Sequence, residues 1–349
     1  MGSFFTGELF LIALCIFVLL SIEHWWEEYN YERCCNKDSQ LAIRGLFVLL
    51  IVFSHMFRNT ENYSDQLSAS ILHFLFPSIV CIFFFYSGYG LMFNFMKGKQ
   101  KTLHSQMAHY LKKLGIPALI AYLITVFIAS FSKNKIPAIS SIGGWFAQVL
   151  LLLYISYAIF SCIVDSAMKL LVFEIVFVVG VTFGAKILSV SSFVYIDLPA
   201  FLFGMLVKLD EDRFRKLFQK KSILLASVIL TGGGGGYLAM ARYGIVSTGF
   251  GIGVILGFVN SISEVVMVQI LLSHICFKGK NLLNYLGKYS YEIYLTGAVA
   301  KPLVLMVCSS RIGYYSLYLT LCIVGGLLIS KICNNLLRGG KKVTGKIRA

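Results

Sequence analysis

Two ionisable side chains, Arg44 and His55, fall inside one apolar run, LAIRGLFVLLIVFSHMF at 41–57. A run of this kind reads as a bilayer-spanning helix, where an ionisable group costs several kcal/mol unless it faces a partner, a wet cavity or an interface. The two lie eleven positions apart, so at about 100° per residue they return to one helix face after about three turns, roughly 16 Å apart along the axis. A guanidinium grips an anionic group through paired hydrogen bonds, and an imidazole takes or gives a proton near neutral pH. One face of one helix thus offers an anion clamp and, farther along, a general base, a pair suited to the two ends of a long ligand. Each residue alone has a blander reading. Arg44 by itself would snorkel to the membrane surface, and His55 by itself would be an interhelical hydrogen-bonding group about as often as a functional one.

The stretch FFFYSGYGLMF at 83–93 places Ser87, Gly88, Tyr89 and Gly90 together. Hydroxyls beside glycines could line a polar groove near His55, although small residues in membrane helices more often serve close packing. Glu264 with Asn260 and Gln269, Asp197 before Pro199, Glu174 and Glu292 are further polar groups inside apolar runs, and one of the carboxylates could hold the tautomer of His55. His73 and His274 are expected at helix ends or in packing networks. Gly249, Gly251, Gly253 and Gly257 have the spacing of a nucleotide fingerprint but no preceding strand, so helix packing is the reading; Gly232 to Gly236 is read as a flexible or close-packed piece of its helix. Neither CxxC nor HExxH nor GxSxG occurs, so no metal site and no serine-hydrolase site is expected.

The elements that must position these groups follow from composition. Of 349 residues 58% are hydrophobic and 13% charged, which excludes a soluble enzyme and points to an all-α, polytopic membrane protein. About eleven apolar stretches are long enough to cross a bilayer, at 7–22, 41–57, 68–95, 115–131, 145–163, 170–187, 191–207, 222–241, 248–277, 290–308 and 314–336. They are too long for barrel strands and lack strand alternation. The net charge of +15 would suggest nucleic acid in a soluble chain; here no nucleic-acid partner is expected, because the basic residues concentrate in alternate loops. With the N-terminus outside, the inner loops and tail carry 22 of the 31 lysines and arginines and the outer loops six. That places the multi-pass chain in a plasma membrane with a cytoplasmic C-terminus. Lys97, Lys99, Lys101, Lys112 and Lys113, and the group from Lys208 to Lys221, would then face the cytosol, as a topology signal and as a counter-surface for phosphates. The first stretch has no cleavage site and is read as a retained helix. Cys34 and Cys35 would be reduced, inert thiols, with palmitoylation the lesser option. Asn62-Tyr63-Ser64 is a glycosylation sequon of the kind that arises by chance.

Taken together, Arg44-x10-His55, FFFYSGYG at 83–90 and LGKYSYEIYL at 286–295 resemble the acyltransferase-3 family of integral membrane acyltransferases, over about residues 39–335. The resemblance implies a ten-helix core at 39–337, preceded here by one extra helix and inner loop at 1–38 and followed by a basic tail at 338–349. It implies O-acyl transfer from a cytosolic acyl-CoA, usually acetyl-CoA, to a hydroxyl of a cell-envelope polysaccharide or lipid-linked sugar, with no bound cofactor. His55 would remove the hydroxyl proton or carry the acyl group, Arg44 would bind or orient the donor, and Ser87, Tyr89, Lys112, Lys113, Tyr291 and Glu264 would line the substrate and donor sites. Two positions depart from the family pattern. Lys112 and Lys113 with Gly115 stand where many members have an Arg-x-x-Arg pair, which keeps charge but loses the bidentate phosphate fork; Thr296 stands where members often have histidine. A transporter of a small solute or polysaccharide component is the alternative reading.

Overall fold

The computed structural model describes residues 6–58, 68, 72, 79–98, 102–131, 142–190, 194–242, 250–278, 281–308 and 310–347. His73, Gly249, Lys99, Lys101 and the Asn62-Tyr63-Ser64 sequon lie outside them. In chain order the elements are α1 (Thr6–Ser21), β1 (Ile22–His24), α2 (Tyr31–Cys35), α3 (Lys37–Arg58), α4 (Cys81–Met96), α5 (Leu103–Tyr110), a π turn (Leu111–Gly115), α6 (Ile116–Phe131), α7 (Gly144–Ile163), α8 (Ala167–Ile187), α9 (Leu198–Leu209), α10 (Glu211–Phe218), α11 (Lys221–Arg242), α12 (Phe250–His274), β2 (Cys276–Phe277), α13 (Leu282–Lys288), α14 (Ser290–Val307) and α15 (Arg311–Ile347).

The protein is all-α and polytopic. Among the described residues, six helical segments are long and apolar enough to cross a membrane: Lys37–Phe57, Leu103–Phe131, Gly144–Ile163, Ala167–Ile187, Gly253–His274 and Arg311–Leu337. α8 exposes Val172, Phe173, Val176, Val179, Phe183 and Ile187, a face that only a lipid environment satisfies. α3 is the opposite case, 72% buried along its span against 28% for α8, so the helix that carries Arg44 and His55 lies inside the bundle.

Two glycine contacts fix the neighbours of that helix. A Cβ on Gly45 would overlap the carbonyl oxygen of Leu283, and one on Gly287 would overlap that of Leu41, so α3 and α13 touch backbone to backbone. Gly88 on α4 and Gly204 on α9 do the same against the carbonyls of Phe201 and Phe85. With no hydrophobic force between helices in lipid, such close approach is what dispersion between them requires. At the far end of α3, Phe53 and Phe57 pack with Phe10 of α1 and Tyr315 of α15, with ring centroids 5.5 to 6.3 Å apart.

Several sequence expectations are corrected. The stretch 191–207 yields α9, which starts only at Leu198 because Pro199 fits the first turn of a helix and not its interior, and whose 12 residues extend about 18 Å, short of a full span. Residues 103–110, expected in an inner loop, are helical and run through the π turn into α6, and α15 extends through residues 338–347. A small antiparallel pair, β1 with β2, was not anticipated; it ties the end of α1 to the end of α12. The Gly232–Gly236 run is helical. Gly234 packs against the Asn260 side chain on α12, whereas Gly232 and Gly233 face open space.

Three of the loops expected on the inner side, at 23–40, 208–221 and 278–289, gather at one end of the bundle. Lys278 N–H donates to the Ser21 carbonyl, Glu27 N–H to that of His274 and Asn30 N–H to that of Ser273. Tyr29 hydroxyl donates to the Arg215 carbonyl at 2.9 Å, and Asn284 Nδ2 to that of Asp38 at 2.9 Å. His274 closes α12 in this network, with Nδ1 2.8 Å from the Glu27 carbonyl and its ring stacked on Trp26.

Candidate functional site

α3 presents Arg44 and His55 along one face, as their spacing requires. Arg44 is half-buried, and its buried Nε makes no hydrogen bond; among the described residues it forms no ion pair. A guanidinium within a bundle and without an anion is an uncompensated charge, the state that a ligand anion would relieve. It lies close enough to Tyr86 for its charge to bear on that hydroxyl. Tyr86 in turn accepts a hydrogen bond from Gln269 Nε2 at 3.0 Å, so α3, α4 and α12 meet at the level of the guanidinium. His55 is the single exposed residue between Phe47 and Phe57. On a helix otherwise enclosed, that exposure is an opening, and an imidazole there can meet a substrate from outside the bundle.

Glu264 is fully buried and lies, with Asp197, within electrostatic range of Cys81 at the start of α4. It sits five residues before Gln269 on α12, as Cys81 sits five before Tyr86 on α4, so the two helices run in matched register. Glu264 is therefore displaced by about 7.5 Å along the axis from the Tyr86–Gln269 contact. Asn260 is also fully buried. Ser87 is buried and receives a long hydrogen bond from the Tyr154 hydroxyl at 3.4 Å, which joins α4 to α7. Glu174 is in a separate place, fully buried between α8 and α7 and accepting from Ser156 Oγ at 2.9 Å.

Tyr89 does not turn toward His55. Its hydroxyl donates to Glu211 Oε1 at 2.7 Å at the loop-bearing end, where Glu211 is also ion-paired with Lys208. The Lys208 ammonium stands 5.5 Å from the Tyr89 ring and 5.0 Å from the Phe93 ring. Glu211 is partly buried, which raises its pKa, but hydrogen bonds from Lys208 and Tyr89 outweigh that and hold it below the ordinary carboxylate value.

Lys112 and Lys113 are exposed on the π turn. The turn exists because Pro117, two residues beyond it, cannot donate a helical hydrogen bond, and the chain closes instead through Ile116 N–H to the Leu111 carbonyl, five residues back. Tyr291 caps it by donating to the Leu114 carbonyl at 2.8 Å, so its hydroxyl is engaged in holding the lysine-bearing turn against α14. Thr296 donates across to the Cys322 carbonyl of α15 at 2.7 Å. The structure thus brings Arg44 together with Tyr86 and Gln269, sets His55 and Glu264 farther along, and leaves Tyr89 and the Lys112–Lys113 turn in two other places at the loop end. Tyr86 was missed in the sequence, although it falls within the same FFFYSGYG stretch; Lys208 and Glu211 stood only within a charge run.

A family model described as an acyltransferase domain, that of the acyltransferase-3 family, matches residues 42–334, from within α3 to within α15. Comparisons with curated proteins and with solved structures give no match.

Proposed function

The chain belongs to the acyltransferase-3 family, and from that premise we propose that this membrane acyltransferase moves an acyl group, acetyl in our reading, from acyl-CoA to a hydroxyl of a cell-envelope polysaccharide or lipid-linked sugar. The observation that carries the proposal is the pair on α3: a half-buried guanidinium with no ion pair among the described residues, and on the same face the one exposed residue between Phe47 and Phe57, an imidazole. Arg44 holds a phosphate of the donor from the cytoplasmic side. The pantetheine arm lies along the face and delivers the thioester to His55. His55 takes the proton of the acceptor hydroxyl as its oxygen attacks the acyl carbon; the C–O bond forms, the C–S bond breaks, and the CoA sulfur leaves with the proton His55 received. Tyr86, fixed by Gln269, orients Arg44.

The test is transfer of label from radiolabelled acetyl-CoA into the glycan and lipid fractions of membranes holding the wild type, His55→Ala, Arg44→Ala or empty vector. Transfer by wild type alone, with Arg44→Ala rescued in part by high donor concentration and His55→Ala not rescued, supports the assigned roles. Absence of transfer by folded, inserted wild type supplied with native acceptor extract overturns them in favour of transport or another donor.

A further inference from the structure

The vicinal thiols Cys34 and Cys35, alike in the sequence, are unlike in the structure. Cys34 is 1% exposed, and its thiol donates to the Tyr31 carbonyl at 2.9 Å, which makes it a packed, inert group. Cys35 is only partly buried, with its sulfur 3.9 Å from that of Cys34, and it faces the Tyr31 and Tyr89 hydroxyls and the Glu211 carboxylate. Glu211 is itself oriented by the Tyr89 hydroxyl and by Lys208. A nucleophile, a carboxylate beside it and two groups that fix the carboxylate make the pattern of an activated thiol. A second observation points to something that is to be bound there. Tyr31 is 4% exposed, yet its hydroxyl, turned toward the Cys35 sulfur, has no formed hydrogen bond. A buried hydroxyl left so is destabilising, and an incoming oxygen acceptor would satisfy it.

We propose that Cys35 is an S-acylation site that takes an acyl group directly from acyl-CoA, so that the protein carries a thioester distinct from the chemistry at His55. Glu211 receives the Cys35 thiol proton. The sulfur attacks the thioester carbon, the Tyr31 hydroxyl donates to the oxyanion, and the new C–S bond forms as the bond to CoA breaks. The CoA thiolate takes the proton from Glu211 and leaves as the free thiol, so one thioester replaces another with no oxidant or reductant. The contact with Cys34, then the Tyr89 hydroxyl, hold the Cys35 thiol below the ordinary cysteine value against the opposing effects of burial and of the Glu211 charge, which favours the attacking thiolate. Arg215 beside the Tyr31 ring, at 5.4 Å, adds positive charge where the donor phosphates approach.

The choice of acyl-CoA as donor rests on the acyltransferase reading, and the experiment separates the two. Purified full-length protein in nanodiscs is mixed with radiolabelled acetyl-CoA or palmitoyl-CoA, quenched in detergent, and assayed for protein-bound label released by neutral hydroxylamine; acceptor labelling is measured in parallel. The expected result is a hydroxylamine-labile adduct on wild type, Cys34→Ala and His55→Ala, lost in Cys35→Ser, and formed at least about tenfold more slowly in Tyr31→Phe, which loses an oxyanion donor and keeps the sulfur. The donor that labels identifies the chain length. A labile adduct retained by Cys35→Ser, or an acceptor labelled by wild type while no adduct forms on wild type or His55→Ala, overturns the proposal and leaves O-acyl transfer standing. An adduct on Cys35 with no labelled acceptor upholds it and overturns the O-acyl transfer reading instead. Size-exclusion profiles matching wild type show that the variants are folded.

Discussion

Gly88 and Gly90 sit two residues apart in one motif on one helix, and the structure assigns them opposite tolerance to a methyl group. A Cβ at Gly88 would overlap the Phe201 carbonyl oxygen and stand 2.9 Å from its carbon and 3.3 Å from Met205 Cγ, whereas one at Gly90 meets nothing within 4 Å. Reaching ordinary carbon–carbon contact of about 3.5 Å requires α4 and α9 to separate by at least about 0.6 Å, and clearing the oxygen requires more. Alanine in a helix gains about 0.8 to 1 kcal/mol over glycine, and that gain is common to both variants. The difference between Gly88→Ala and Gly90→Ala is therefore the overpacking cost alone, about 1 to 3 kcal/mol. It is read by thermal unfolding in nanodiscs, followed through alkylation of the fully buried Cys81 on the same helix by peptide-resolved mass spectrometry. Activity falls too, because Ser87 and Tyr86 move with the helix and displacements near 1 Å cost on the order of a hundredfold in rate. Equal stability and equal acyl transfer in the two variants would refute the backbone contact as the element that sets the position of α4.

Three further outcomes follow from single contacts. Tyr86→Phe leaves the Gln269 amide, 2% exposed, without its acceptor; the variant should lose about 1 kcal/mol of stability and bind donor more weakly with its maximal rate kept, and a fall in rate at saturating donor would go against an orienting role. Tyr291→Phe frees the Leu114 carbonyl at the π turn, so amide exchange across 111–115 should quicken by roughly tenfold while α14 keeps its protection. Alkylation of Cys35, mapped peptide by peptide, should follow its thiolate with a midpoint below the ordinary value of 9.0, and a midpoint at or above 9.0 would remove the favourable setting assigned to it.

What the sequence made legible was whatever is local and periodic. Arg44 and His55 could be placed on one face because helical phase accumulates predictably over eleven residues. Glycines in apolar runs could be read as packing residues, and Gly88 is one. Their partners could not be named: Gly45 meets Gly287 and Tyr89 meets Glu211, across 242 and 122 positions, and nothing local to either residue encodes the other. Tyr89 had looked like a groove hydroxyl because it follows Ser87 closely, but two residues on a helix turn about 200°, and it faces the opposite way. The π turn carried one visible signal, Pro117 just beyond Lys112 and Lys113, which required the hydrogen bonding to change there. The difference between Cys34 and Cys35 had none, since it depends on which thiol meets α10.

The two backbone contacts also bear on how such a site can work. Gly45 is the residue after Arg44, and Gly88 is the residue after Ser87. Each group sits one position from a place where two helices touch without an intervening side chain, so neither can shift without breaking the contact. The neighbours hold this arrangement from the other ends, Phe53 against Phe10 and Phe57 against Tyr315 beside His55, and Gln269 on Tyr86 beside Arg44. A bundle in lipid has no hydrophobic force with which to compress a loose site. Preorganisation must come from contacts with no slack, and a guanidinium and an imidazole about 16 Å apart on one helix can take the roles proposed for them only if that helix is fixed in place. Enclosure of α3 by glycine contacts and aromatic packing supplies that condition, and the exposure of His55 alone between Phe47 and Phe57 leaves the proposed acceptor an approach.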